Sequence, residues 1–85
     1  MFLNWHRSLR YFFNIKDGDS ISRDPEGTEL ADPVAAILEA RIIARDMMIE
    51  CLKARCELDG RQIEIVDERG NVVETLKVKE VVSAP

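Results

Sequence analysis

The sequence of 85 residues has few prolines, glycines and histidines, and it has no long apolar run. Three prolines and four glycines beside 46% hydrophobic residues exclude a collagen-like or intrinsically disordered chain. Charged residues interrupt every apolar stretch well short of the roughly 20 residues that a transmembrane helix needs. Asn4, His6 and Arg7 also break up the apolar segment that a secretory signal would require. We therefore expect a cytoplasmic protein that does not enter a membrane.

Histidine and cysteine are too scarce for the usual metal centres and nucleophilic catalytic sites. His6 is the single histidine, whereas a structural zinc site needs about four ligands and a nucleophile needs a base beside it. Cys51 and Cys56 lie five residues apart on a predicted helix, where about 100° per residue separates their side chains by roughly 140°. We expect both thiols to stay reduced, and we expect no metal, no cofactor and no enzymatic activity.

Carboxylates are concentrated in one short segment, and they could suggest a calcium loop. Such a loop needs an oxygen ligand at its fifth position and a glycine at its sixth, where this sequence has Ile21 and Ser22. Carboxylates in turns usually accept hydrogen bonds from nearby backbone N–H groups instead. We predict this turn-stabilising role for Asp17, Asp19, Asp24, Glu26 and Glu29.

Hydrophobic periodicity and turn residues predict four strands and one long helix. The strands are expected at 11–16, 20–23, 61–67 and 72–82, and the helix from Asp32-Pro33 to about Arg55. Asp32 suits the N-cap and Pro33 the first helical position. The order β-β-α-β-β indicates a two-layer α+β domain, in which an antiparallel sheet made of two hairpins carries one long helix on one face.

The predicted domain spans residues 10–82, between an N-terminal extension at 1–9 and a short tail at 83–85. Its core is expected to contain the apolar residues that share a face of each element. They are Tyr11, Phe13, Ile15, Leu30, Leu38, Ile42, Ile49, Leu52, Ile63, Ile65, Leu76 and Val78.

The predicted helix is apolar around most of its circumference, which is more than one sheet can cover. Two interpretations remain open. Phe2, Leu3 and Trp5 of the N-terminal extension cover the excess, or a second subunit does. The second interpretation predicts a homo-oligomer, in which Ile43, Met47 and Met48 contact the partner because they lie farthest around the helix from the predicted core positions.

Nucleic-acid binding is the alternative function. Residues 1–16 contain Arg7, Arg10 and Lys16 but no acidic residue, together with aromatic side chains on which bases could stack. The formal net charge of the whole chain is −4, however, and a negative body opposes the approach of phosphates. We expect nucleic acid to be the less favoured partner.

The chain resembles a family of small uncharacterised bacterial proteins that is classed as a domain of unknown function. The resemblance rests on Arg10-Tyr11-Phe12-Phe13, Asp17-Gly18, Asp24, Glu26-Gly27-Thr28-Glu29-Leu30, Asp59-Gly60-Arg61 and Ile63-Glu64, and on Asp67 and Gly70. It implies a shape and no activity, cofactor or catalytic residue. From the residues themselves we expect a non-catalytic, self-associating interaction or regulatory module, which could also bind another protein.

Overall fold

The computed structural model describes residues 9–83, and it places the side chains of residues 9–81. The elements are β1 (Leu9–Asp17), β2 (Ser20–Ser22), β3 (Thr28–Leu30), α1 (Pro33–Ala54), β4 (Arg61–Val66), β5 (Val72–Lys77) and α2 (Val78–Ser83). The five strands form an antiparallel sheet in the order β2-β1-β4-β5, and β3 also pairs with β1. Helix α1 packs against this sheet, which confirms the predicted α+β class.

Strands β2 and β3 pair with different parts of β1, and a bulge separates them. Ile15 pairs with Ser22 in β2, and Tyr11 pairs with Thr28 in β3. Between these two pairs, β1 has the three residues 12–14, whereas the neighbouring segment has the five residues 23–27. The bulge at 23–27 therefore contains two residues more than a regular antiparallel pairing would. The first hairpin was predicted, but its continuation into β3 was not.

Helix α1 begins as the sequence predicts. The Oδ1 atom of Asp32 accepts a hydrogen bond from the backbone N–H of Ala35 at 2.8 Å, and Pro33 follows the cap. The helix then runs for 22 residues without glycine or an internal proline. No helix in the described range 9–83 is both long enough and apolar enough to cross a membrane.

The face of α1 that packs on the sheet consists of small side chains. Ala36, Ala40 and Ala44 are fully buried, and the sheet supplies the bulky side chains of the core, namely Tyr11, Phe13, Ile63 and Ile65. The prediction that Leu38, Ile42, Ile49 and Leu52 belong to the core is wrong, because all four are exposed. With large residues already on the sheet, only alanine leaves room for close approach of the helix backbone.

The predicted last strand is too long. Strand β5 ends at Lys77, and residues 78–83 form α2 instead. Val78 and Val81, three residues apart, are both buried in the core cluster, and α2 packs against α1. Spacing of three suits one face of a helix, so tertiary burial overrides the strand preference of valine here.

Candidate functional site

The most prominent surface feature is a row of aliphatic side chains along the outer face of α1. We call it the outer stripe. It contains Val34 (64% exposed), Leu38 (57%), Ile42 (55%), Ile49 (47%) and Leu52 (70%). At about 100° and 1.5 Å per residue, these side chains lie within an arc of about 80° over a length of about 27 Å. Large exposed apolar surfaces of this continuity are typical of interaction sites.

Charged residues border the outer stripe differently on its two sides. By helical spacing, Arg41 lies along one border, whereas Asp46 and Glu39 lie along the other, and Arg45 lies within the stripe. None of these four residues forms an ion pair with another residue in the described part of the chain. The stripe therefore has a cation on one border and mainly carboxylates on the other, where Lys53 also lies and pairs with Glu50.

The residues predicted to contact a partner lie mostly elsewhere. Ile43 and Met47 are half-buried and pack against the core cluster beneath α1. Met48 is also half-buried, and it lines a groove beside Leu52 and the two cysteines. These three side chains are each less exposed than the residues of the outer stripe.

Asp24 organises the bulge between β2 and β3. Its Oδ2 atom accepts from the backbone N–H of Phe13 at 3.1 Å, so it replaces the carbonyl that a regular edge strand would provide. Its Oδ1 atom accepts from the N–H groups of Glu26 and Gly27, at 3.3 and 3.1 Å. The buried Asn14 accepts in turn from the N–H of Asp24 at 3.0 Å. The predicted turn-stabilising role is confirmed for Asp24.

These hydrogen bonds change the acidity of Asp24. Burial alone would raise the pKa of its carboxyl group, because it disfavours the charged form. The three backbone N–H donors, from Phe13, Gly27 and Glu26, outweigh that effect and lower the pKa overall. The carboxylate is thus held ionised by the bulge that it stabilises.

The nucleic-acid candidates that the structure describes already have partners within the chain. Arg10 donates from Nη1 to the carbonyl of Glu26 at 2.8 Å and from Nη2 to the carboxylate of Glu29 at 3.0 Å. Lys16 has its Nζ atom 4.0 Å from Oε2 of Glu64. Arg7, like the rest of the extension 1–8 with Trp5, lies outside the described residues.

Phe12 is half-buried and presents only part of its ring for stacking bases. A Cβ atom added to Gly27 would lie 2.9 Å from Cε2 of Phe12, so the bulge packs against one edge of this ring. Tyr11 and Phe13 are buried in the core. The described residues therefore give no support to the nucleic-acid alternative, which stays a prediction.

The two cysteines are joined by a disulfide bond, so the prediction of two reduced thiols is wrong. Their Cα atoms are 5.0 Å apart. The helical spacing argument fails because the helix ends at Ala54, and Arg55 adopts a left-handed conformation with φ of 56°. The chain then turns back over the last helical turn, which brings Cys56 to Cys51.

This helix end is a Schellman motif, which two backbone hydrogen bonds define. The N–H of Cys56 donates to the carbonyl of Cys51 at 3.0 Å. The N–H of Arg55 donates to the carbonyl of Leu52 at 3.4 Å. An apolar contact commonly joins the two outer positions of the motif, and here the disulfide joins them. Sequence reasoning missed this helix end because the left-handed residue is arginine rather than glycine.

The sequence did contain a signal for the outer stripe. The alanine repeat at 36, 40 and 44 marks the closely packed face of α1, so the large residues on the opposite face are left exposed.

The comparisons with known proteins give a family and no described relative. No curated protein and no solved structure matches the chain. Residues 10–79 match the family model described as Domain of unknown function (DUF6894). The match covers most of the chain and contains β2 to β5, all of α1 and all of β1 except Leu9. The protein therefore belongs to this family of domains of unknown function.

Proposed function

We propose that the protein is a non-catalytic, self-associating module, and that a second copy of the chain covers the outer stripe. The observation that carries this proposal is the exposure of five large aliphatic side chains along the whole length of α1. Isolated apolar residues on a surface need no explanation, but five along one helix face, interrupted by Arg45, are costly to leave in water. A twofold pairing of identical helices is the simplest closed assembly that buries it.

The charges beside the stripe favour a second copy over an unrelated partner. In a parallel pair of helices, opposite borders of the two stripes face each other. Arg41 would then lie near Asp46 of the partner subunit, five residues further along, and the twofold axis would repeat this contact. In an antiparallel pair, like borders meet, and Asp46 would lie near Glu39 of the partner subunit. Charge complementarity therefore supports the parallel arrangement.

The expected affinity follows from the size of the stripe. Burying the exposed half of an aliphatic side chain contributes about 1 kcal/mol, so the ten side chains of a pair contribute about 10 kcal/mol. Association costs about 4–15 kcal/mol in lost translational and rotational freedom. Arg45, which lies within the stripe, adds like-charge repulsion between the copies while its aliphatic stem still covers apolar surface. With the smallest of these costs about 6 kcal/mol remains, which corresponds to a dissociation constant of about 40 µM, so the assembly is a weak one.

The test is to place a charge in the stripe and at a matched position outside it. At about 500 µM, we expect the wild-type chain to approach the mass of a dimer in sedimentation equilibrium, and Leu38→Asp to have the mass of one chain. Val72→Asp is the control, because Val72 is also aliphatic and 53% exposed but lies at the start of β5. Circular dichroism would verify that both variants are folded. A wild-type mass of one chain, or equal dissociation by both variants, would overturn the proposal.

A further inference from the structure

We propose that Cys51 and Cys56 form a thiol-exchange site, at which a low-molecular-weight thiol attacks Cys56 and Cys51 is the leaving group. In the reverse direction, Cys51 is the residue that resolves the mixed disulfide on Cys56. The proposal does not depend on self-association. It rests on three features of the end of α1: the backbone hydrogen bonds that hold the two residues together, the unequal exposure of the two cysteines, and the open grooves beside them.

The backbone keeps the two cysteines adjacent without help from the disulfide itself. The hydrogen bonds of the Schellman motif join main-chain atoms only, and they fix Cys56 over the last turn of α1. The resulting Cα separation of 5.0 Å lies in the range that disulfides require. Reduction therefore leaves both sulfurs in place, and oxidation can close the bond again without rearranging the chain.

The two cysteines differ in their access to solvent. Cys51 is buried, with 5% of its surface exposed, whereas Cys56 is exposed. Because an attacking thiolate must reach the sulfur along the axis of the disulfide bond, access determines which sulfur reacts. An external reagent therefore reaches Cys56 first, because Cys51 offers only a small part of its surface to the grooves beside it.

Open grooves flank the disulfide on both sides. One has a volume of about 440 Å³ and is lined by Ile43, Met47 and Arg61 among others, and the other has about 240 Å³ with Met48 and Leu58. Both cysteines line both grooves. The volume of the larger groove lies within the range of small-molecule sites, so a low-molecular-weight thiol can lie beside the disulfide.

The exchange is balanced in electrons and protons. The external thiolate attacks the sulfur of Cys56, the disulfide bond breaks, and the sulfur of Cys51 leaves with the electron pair and takes up a proton. A second thiolate attacks the external sulfur of the mixed disulfide and releases Cys56 as a thiolate, which is then protonated. Two external thiols are oxidised to one disulfide, and the protein disulfide is reduced to two thiols.

The experiment uses glutathione and two single variants. With oxidised glutathione, we expect Cys51→Ser to acquire one glutathione per chain by mass spectrometry, at least about tenfold faster than Cys56→Ser, because Cys56 is exposed and Cys51 is buried. The air-oxidised wild type should contain no free thiol when titrated in denaturant, and excess reduced glutathione should release two. Equal rates for the two variants, or two free thiols in the air-oxidised protein, would overturn the proposal.

A measurement on the wild type keeps the test independent of the folding of the variants. After reduction, brief alkylation with iodoacetamide and peptide mapping should find the label on Cys56 before Cys51. Prior labelling of Cys51 would contradict the proposed order of attack, whether or not either variant folds.

Discussion

The two long faces of α1 are both apolar, yet one is buried against the sheet and the other is exposed to solvent. The inner face packs Ala36, Ala40 and Ala44 without exposed surface, whereas the outer face leaves more than half of Leu38 and Ile42 in solvent. Hydropathy does not distinguish these faces, but side-chain volume does. Because the sheet already contributes aromatic and isoleucine side chains, the helix approaches most closely with its smallest residues. A face of small residues can therefore identify the core side of a helix better than a face of large ones.

The largest effect should come from enlarging a side chain on the inner face. Ala40→Leu is expected to lower the free energy of unfolding by about 3 kcal/mol, because Ala40 is fully buried against the sheet and the added atoms overfill the core. Leu38→Ala on the outer face should lower the stability of the monomer by less than about 1 kcal/mol. Urea denaturation at concentrations where the chain is monomeric measures both. The reverse ranking would mean that α1 presents its other face to the sheet.

The comparison of the two faces also shows where sequence reasoning succeeds. The N-cap at Asp32, the hairpins and the α+β class follow from local rules, because capping, turn formation and strand alternation depend on neighbouring residues. Local rules do not determine the rotation of α1 about its axis. That rotation depends on the side-chain volumes contributed by β1 and β4, which lie far away in the sequence. The left-handed Arg55 had no local signal of the kind that glycine gives, so the Cys51–Cys56 bond could not be inferred either.

The sheet has two faces as well, and only one of them is covered by α1. The bulge at 23–27 lies over Phe12, and its contact depends on Gly27, whose φ is 72° and whose position leaves no room for a Cβ atom. Backbone N–H groups that donate to the Asp24 carboxylate therefore stabilise this edge of the sheet. Beneath the helix, tight apolar packing has the stabilising role. The two regions should respond differently to pH, because the bulge depends on the carboxylate of Asp24, whereas the packing of Ala36, Ala40 and Ala44 on the sheet involves no carboxylate among the described residues.

Asp24→Asn is expected to lower the free energy of unfolding by about 1–2 kcal/mol at pH 7, because the charged acceptor of three backbone N–H groups is lost. The folded pKa of Asp24 is lowered, so its contribution is present above the unfolded value of about 3.9 and is lost as the pH falls through the folded pKa. The difference from wild type should therefore shrink by about pH 3. Asp67, whose pKa is also lowered by the N–H of Asn71, is retained in both proteins, so the difference isolates Asp24. A constant difference over this pH range would contradict the role of the charge.

The smallest expected effect concerns the borders of the outer stripe, and it determines how two copies would face each other. In the proposed parallel pair, Arg41→Glu should weaken association about fivefold, since exposed ion pairs contribute about 0.5 kcal/mol each and the twofold axis repeats the contact. Asp46→Arg alone should weaken it similarly, and the double variant should restore the wild-type affinity because the charges are exchanged. An antiparallel pair makes the opposite prediction for Asp46→Arg, which would strengthen association by facing Glu39 of the partner subunit. Dissociation constants from sedimentation equilibrium at low salt separate these outcomes. At high salt, the differences between the variants should become smaller because the charges are screened, whereas association through burial of the stripe should persist.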